Sequence, residues 1–124
     1  MNIEEVHAYC VSFAEVTEEF PFDDTSLVFK VNGKMFLLLP LDADAEDERF
    51  ILLKCDPELA VEQRERYEAV KPGYHMNKKH WNMINLESDM PDAEIRQAIR
   101  HSYQKVVEKM PAKDRLRLLK TLEE

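Results

Sequence analysis

Leu27-Val28-Phe29-Lys30-Val31-Asn32-Gly33-Lys34-Met35-Phe36-Leu37-Leu38-Leu39 is the stretch on which the fold turns. Four of its first five residues, Leu27, Val28, Phe29 and Val31, are β-branched, aromatic or aliphatic, as a strand requires. Asn32-Gly33 is the strongest short hairpin signal available, because both residues tolerate left-handed backbone. Lys34 to Leu39 then returns as the second strand. Downstream, Asp42-Ala43-Asp44-Ala45-Glu46-Asp47-Glu48 is too acidic to pack and is expected to be a loop. Phe50 to Cys55 follows as a third strand. Strands joined by short turns imply an antiparallel sheet.

Helices flank this unit. Ile3, Val6, Cys10 and Phe13 fall at helical spacing, Asn2 can cap, and Glu4 and Glu5 suit the positive end of the dipole, so a helix is predicted over 3–16. Pro21 disfavours helix at Phe20. Asp56-Pro57-Glu58 has the chemistry of a helix start, and this helix should run to about Glu68 with Leu59, Ala60, Gln63 and Tyr67 toward the sheet. Ala69 to Asn77 reads as a loop or short strand, and His80 to Leu86 alternates as another strand. A third helix is expected from near Pro91-Asp92, burying Ile95, Ala98, Ile99, Ser102, Val106 and Met110 until Pro111 breaks it. Ala112 to Leu122 is a last short helix with Leu116, Leu119 and Leu122 as its apolar face. The expectation is an α+β, two-layer sandwich: an antiparallel sheet with helices on one face, in the order α-β(3)-α-β(2)-α plus a short C-terminal helix.

The 124 residues suit one domain, and 44% hydrophobic with 34% charged residues suit a core under a solvated surface. No apolar run approaches the ~20 residues of a membrane span. The N-terminal residues lack the basic and apolar regions of a signal peptide, and Cys10 and Cys55 form no CxxC pair, so reduced thiols and a cytoplasmic location are expected. Net charge is −8 but uneven: residues 1–70 hold 17 acids and 6 bases, a net −11, whereas residues 71–124 hold 8 acids and 11 bases, a net +3. A polyanion is repelled by the first half and tolerated by the second.

The segment Lys71 to Asn82 concentrates Lys71, Lys78, Lys79, His75, His80, Tyr74 and Trp81 without one acid. Amines meet phosphates and rings stack on bases, so Lys71, Lys78, Lys79 and His80 are the candidate nucleic-acid contacts. Gly73, Met76 and Trp81 are expected instead to set a turn and fill the core. His75 and His80, five apart, match no metal-ligand motif, and no HExxH or CxxC accompanies them, so no metal or cofactor is expected. GxSxG, P-loop and GxGxxG patterns are absent, and the expectation is a protein that is not an enzyme. Cys55 precedes a helix N-terminus, where a thiol pKa can fall. The reading for it, as for Cys10 on the first helix, is a buried small hydrophobe. His7 and His101 are expected at surface or boundary positions.

Phe20-Pro21-Phe22, Phe29 to Phe36, Leu53-Lys54-Cys55-Asp56-Pro57, Pro72 to Trp81 and Ser102-Tyr103 together resemble the MmcQ/YjbR family over nearly the whole chain. Gly73-Tyr74-His75-Met76-Asn77-Lys78-Lys79-His80-Trp81 is the most specific piece. Asp23 stands where members usually have glycine, and Lys79 where arginine is frequent, which bears on any planar phosphate contact. The resemblance implies a two-layer α-β(3)-α-β(2)-α fold similar to CyaY-like and secretion-chaperone-like domains. It also implies a double-wing DNA-binding label, with no activity or cofactor. Three functions compete. The first is DNA binding through the 71–82 segment, with Lys105, Lys109, Lys113, Arg115, Arg117 and Lys120 in support. The second is a protein- or peptide-binding module of chaperone kind. The third is an enzyme or small-ligand carrier using His75, His80 and Cys55. A monomer or weak dimer is expected, with no membrane association.

Overall fold

The structure is a computed structural model and describes residues 1–42, 49–73 and 76–123. Residues 43–48 of the acidic loop expected over 42–48, and the roles considered for Tyr74 and His75, lie outside the described residues. Asn2 and Glu5 form a reciprocal capping box, with Glu5 N–H donating to Asn2 Oδ1 at 2.8 Å, and open helix α1, Ile3–Val11. The helix ends five residues earlier than its spacing predicts. Ser12 turns its hydroxyl back onto the Tyr9 carbonyl, and Glu15 adopts left-handed backbone at φ 60°. The chain thereby reverses into a strand that the sequence reading lacked, β1, Val16–Glu19.

Next come β2, Ser26–Val31, and β3, Lys34–Pro40, joined through Asn32 at φ 50° and Gly33 at φ 78°. Positive φ at both central residues is the backbone demand that Asn-Gly satisfies. Strand β4 is Phe50–Lys54, helix α2 is Pro57–Arg66, and strands β5 and β6 are Val70–Pro72 and Trp81–Asn85. Helices α3, Asp92–Val107, and α4, Ala112–Thr121, complete the chain. Asp56 caps α2 by accepting from the Glu58 and Leu59 N–H groups. The six strands form one antiparallel sheet in the order β1-β2-β3-β4-β6-β5, so β1 and β5 are its edges.

Phe29, Leu37, Leu53 and Ile84 point from the sheet into a core shared with Val6, Cys10, Ile95, Ile99, Tyr103 and Leu118. Tyr103 is fully buried, stacks on Phe13 at 4.8 Å and donates its hydroxyl to the Ala14 carbonyl at 2.8 Å. Helix α4 is rotated from its expected face: Leu118 is buried, Leu119 and Leu122 pack partly, and Leu116 is exposed. Leu118 reaches the core because α4 leans on α3 with its middle turn.

One irregularity matters for the site. In β3, Phe29 pairs with Leu37 and Lys30 with Met35, so Phe36 is an extra, bulged residue. The bulge explains why Phe36 and Leu37, neighbours in sequence, are both fully buried in the same core. Beyond the Leu37–Leu53 pair the next rung would join Phe36 to Lys54. Instead the buried Ser102 hydroxyl of α3 donates to the Phe36 carbonyl and accepts from the Lys54 N–H at 2.9 Å. A side chain thus replaces a ladder rung, and β3 and β4 diverge past it.

Candidate functional site

Where the strands part, lysines from four places in the chain converge. Lys34 begins β3, Lys54 ends β4, Lys105 lies in the last turn of α3, and Lys109 follows that helix. They border a cleft of two adjoining lobes, each of about 440 Å³. One lobe runs between Lys34, Met35, Val106, Met110 and Pro111; the other between Cys55, Asp56, Asn77, His80 and Lys105. Lys54, Trp81 and Lys109 line both. Trp81 sits opposite Lys54 in the β4–β6 register, so the two share the sheet face turned away from the core.

The charge balance of the cleft is positive. Lys105 is held by Asp56 at 3.8 Å and Glu108 at 3.2 Å. Among the described residues, no carboxylate lies within ion-pair distance of Lys54 or Lys109. Partial burial, and then the charges of Lys109 and Lys105, hold the Lys54 ammonium below its ordinary pKa. An anion placed between these amines would relieve that repulsion. An apolar ring on one wall and unneutralised amines on the other suit a ligand with both a flat face and negative charge.

The turn that presents Trp81 is held by a residue the sequence reading did not single out. Arg64 of α2 donates from Nε to Asn82 Oδ1 at 2.7 Å and from Nη2 to the Lys78 carbonyl. Asn82 is itself buried and donates toward the Ala60 carbonyl at 3.4 Å. Asn77 closes the turn from within, its carbonyl accepting from His80 and Trp81 N–H at 3.1 and 3.0 Å. Gly73 lies against the same strand. A Cβ there would sit 2.9 Å from Leu52 Cδ1 and 2.9 Å from Trp81 Cβ, so only glycine fits.

The four candidates Lys71, Lys78, Lys79 and His80 are not brought together. Lys71 lies on the edge strand β5 beside Phe50, Glu68 and Met83. Lys79 borders a shallow hollow with Pro57, Val61 and Arg64 at the start of α2. Lys78 is exposed on the turn, its carbonyl engaged by Arg64. His80 alone lines the lysine cleft. The strand and turn between them rotate successive side chains to different sides, which separates what sequence proximity suggested. Trp81 and Met76 are half-buried and stand outside the core, contrary to their expected core role, because Trp81 lies on the outer sheet face. Of the supporting basic residues, Lys105 and Lys109 reach the cleft, whereas Arg117 is committed to Glu15 and Asp114. Lys34 and Lys54 were missed: each is a single charge at a strand end, and no local pattern marks it.

Cys55 borders the cleft but is buried, and burial followed by the Asp56 charge pushes its thiol up to about 11. The helix N-terminus does not offset this. Burial likewise raises Cys10. His101 accepts the Asp56 N–H at Nε2, 3.1 Å away, and burial and then Lys105 depress its pKa. Among the described residues, no three His, Cys, Asp or Glu side chains group as metal ligands. No helix among them is long and apolar enough to cross a membrane.

Known proteins share this architecture and sequence. The chain is 35% identical over 99 residues to the uncharacterized protein YbdF of Escherichia coli O157:H7, covering 80% of this chain and 79% of that one. It is 30% identical over 115 residues to the uncharacterized protein YjbR of Escherichia coli strain K12, covering 93% and 95%. The crystal structure of Deinococcus radiodurans protein DR2400 superposes with a TM-score of 0.85 at 32% identity, over 94% of this chain and 87% of that one. A Pseudomonas syringae protein superposes with a TM-score of 0.72 at 31% identity, over 85% and 98%. The YjbR family model matches residues 11–105, a span that runs from the end of α1 to Lys105 and takes in β1, the bulged hairpin, the Arg64-clamped turn and Ser102. On sequence and fold together, the chain belongs to the YjbR family.

Proposed function

We propose that this is a cytoplasmic nucleic-acid-binding protein, with DNA as its ligand and the lysine cleft as its site. One observation supports the reading above the others: Lys54 and Lys109, without carboxylate partners among the described residues, flank the half-buried Trp81 in one concave cleft. Lysines neutralise phosphate, and a base stacked on an aromatic ring contributes ~1–3 kcal/mol. The reading relocates the interface from Lys71, Lys78 and Lys79 to Lys34, Lys54, Lys105 and Lys109, and it keeps His80. The net −8 of the chain works against extended polyanions, so the affinity is modest and local. No catalytic role is proposed, since the Cys55 thiol at about 11 is protonated near neutrality.

Fluorescence anisotropy with a labelled single-stranded oligonucleotide tests the reading. Two engaged lysines give a log–log salt slope of about −1.4, from roughly −0.7 per contact on a single strand. Lys54→Ala with Lys109→Ala abolishes the slope, whereas Lys71→Ala leaves it unchanged. Binding that ignores salt, or survives the double substitution, refutes the assignment.

A peptide-binding role has one observation in its favour: Phe20, Phe22 and Leu41 are exposed by 49%, 69% and 37% on and beside the 20–26 turn. A partner captured from cytoplasm through this turn, lost on Phe22→Ser, would favour it over the cleft.

A further inference from the structure

Resting on the nucleic-acid reading, we infer that the cleft recognises a nucleotide bearing a terminal phosphomonoester, rather than the interior of a strand or a duplex. Shape, charge count and surroundings each point this way.

Shape comes first. The lysines sit in a recess, not on a protruding helix or ribbon. Duplex readers insert an element into a groove about 12 Å wide. A recess cannot enter a groove, and a cylinder cannot enter the recess. Lobes of about 440 Å³ instead fall within the size range of small-ligand pockets, roughly 300–1,000 Å³. A free nucleotide or a chain end enters such a space without the unstacking that an interior nucleotide needs.

The charge count comes second. Lys105 is already paired with Asp56 and Glu108. Lys34, Lys54 and Lys109 remain, three positive charges about the cleft with no ion-pair partner among the described residues. An internal phosphodiester carries one negative charge and leaves two of them unmatched. A terminal phosphomonoester carries close to two at neutral pH, since its second pKa is near 6. Lys54, whose ammonium is destabilised by partial burial and then by Lys109 and Lys105, gains from a dianion that offsets the repulsive part.

The surroundings come third. The described residues of 1–70 hold 13 acids and 6 bases, a net −7, and this half of the chain supplies β3 and β4 to the cleft. A long polyanion lying across that half is repelled, whereas a chain end meets the cleft alone.

Trp81 is the only tryptophan of the chain, so its emission reports occupancy directly. The probes are a ten-nucleotide thymidine strand with a 5′-phosphate, the same strand with a 3′-phosphate, the strand with neither, free thymidine monophosphate, and inorganic phosphate. An added unit of ligand charge near two ammonium groups should tighten binding by about ten-fold or more. One phosphorylated strand is therefore expected to bind at least that much more tightly than the unphosphorylated strand. Free thymidine monophosphate should compete with it, and Lys109→Ala, at an exposed position, should erase the difference while leaving the melting curve unchanged. Equal affinity of phosphorylated and unphosphorylated strands overturns the inference and leaves the nucleic-acid reading standing. Binding of thymidine monophosphate with no binding of any of the three strands supports a free-nucleotide ligand and overturns the nucleic-acid reading. Binding of inorganic phosphate as tightly as the monophosphate shows that Trp81 contributes nothing, and overturns the nucleotide assignment. No response to any probe overturns both.

Discussion

Replacing Ser102 by alanine tests the side-chain rung between β3 and β4. The substitution removes one oxygen and leaves two backbone groups without their partner: the Phe36 carbonyl, whose bond to the hydroxyl is buried, and the Lys54 N–H, whose bond is partly buried. An unsatisfied buried group costs about 1–3 kcal/mol, and the partly exposed N–H, which can regain water, lies at the low end. Together the loss is about 2–4 kcal/mol. At an unfolding entropy of about 2.1 cal/mol/K per residue, a chain of 124 residues loses roughly 4 °C for each kcal/mol, so the melting temperature falls by about 8–15 °C. Thermal unfolding followed by circular dichroism measures this, with urea unfolding as an independent check. A shift of less than about 2 °C would mean that the strands close and form the direct rung, and that the hydroxyl does not hold them apart. The Trp81 emission separates the cases, since closure of β3 onto β4 narrows the cleft that Trp81 lines.

Three further outcomes follow from contacts already described. Gly73→Ala forces a Cβ to within 2.9 Å of Leu52 Cδ1 and Trp81 Cβ, so urea unfolding should show a loss of about 1–3 kcal/mol. Arg64→Lys cannot reproduce the fork that reaches Asn82 and the Lys78 carbonyl together, and amide exchange over residues 77–81 should accelerate as much as in Arg64→Ala. His101 has its pKa depressed below 6.5 in the folded chain, so the native state binds fewer protons than the unfolded state around that pH. Its contribution is present above pH 6.5 and is lost as pH falls through the depressed native value, with a matching fall in melting temperature. His101→Gln should flatten that segment of the profile. It should leave untouched the acid limb below pH 3.8, which belongs to the lowered carboxylates Asp23, Asp89 and Asp92.

The parts of the fold legible in the sequence are those whose signal is local and redundant. The 27–39 hairpin combines β-branched residues with a turn dipeptide, the start of α2 combines a cap with a proline, and α3 repeats an apolar residue every turn. Strand β1 was hidden for physical reasons. Its residues Val-Thr-Glu-Glu are exposed or half-buried on an edge, so burial imposed no alternation, and Glu15 takes a backbone conformation that the residue type does not announce. Proximity in sequence misled at the 71–80 segment, where Lys71, Lys79 and His80 each line a different hollow and Lys78 stands on the turn. The cleft was illegible for the opposite reason, since positions 34, 54, 105 and 109 meet only through strand pairing and the bulge at Phe36. Arg64 looked like one more charge on a solvated helix, because its buried partner Asn82 is eighteen residues away.

The two sheet edges carry a consequence for how the chain survives in a crowded cell. An open sheet invites a stray strand from another molecule, and unchecked addition builds fibrils. At one border an incoming strand meets Glu18 and Glu19, both exposed, and must desolvate two carboxylates to pair. At the other it finds only Val70, Lys71 and Pro72, a run too short to template pairing and ending in a residue with no N–H to give. The protein can therefore keep an open sheet with two free edges and still keep its copies from zipping together.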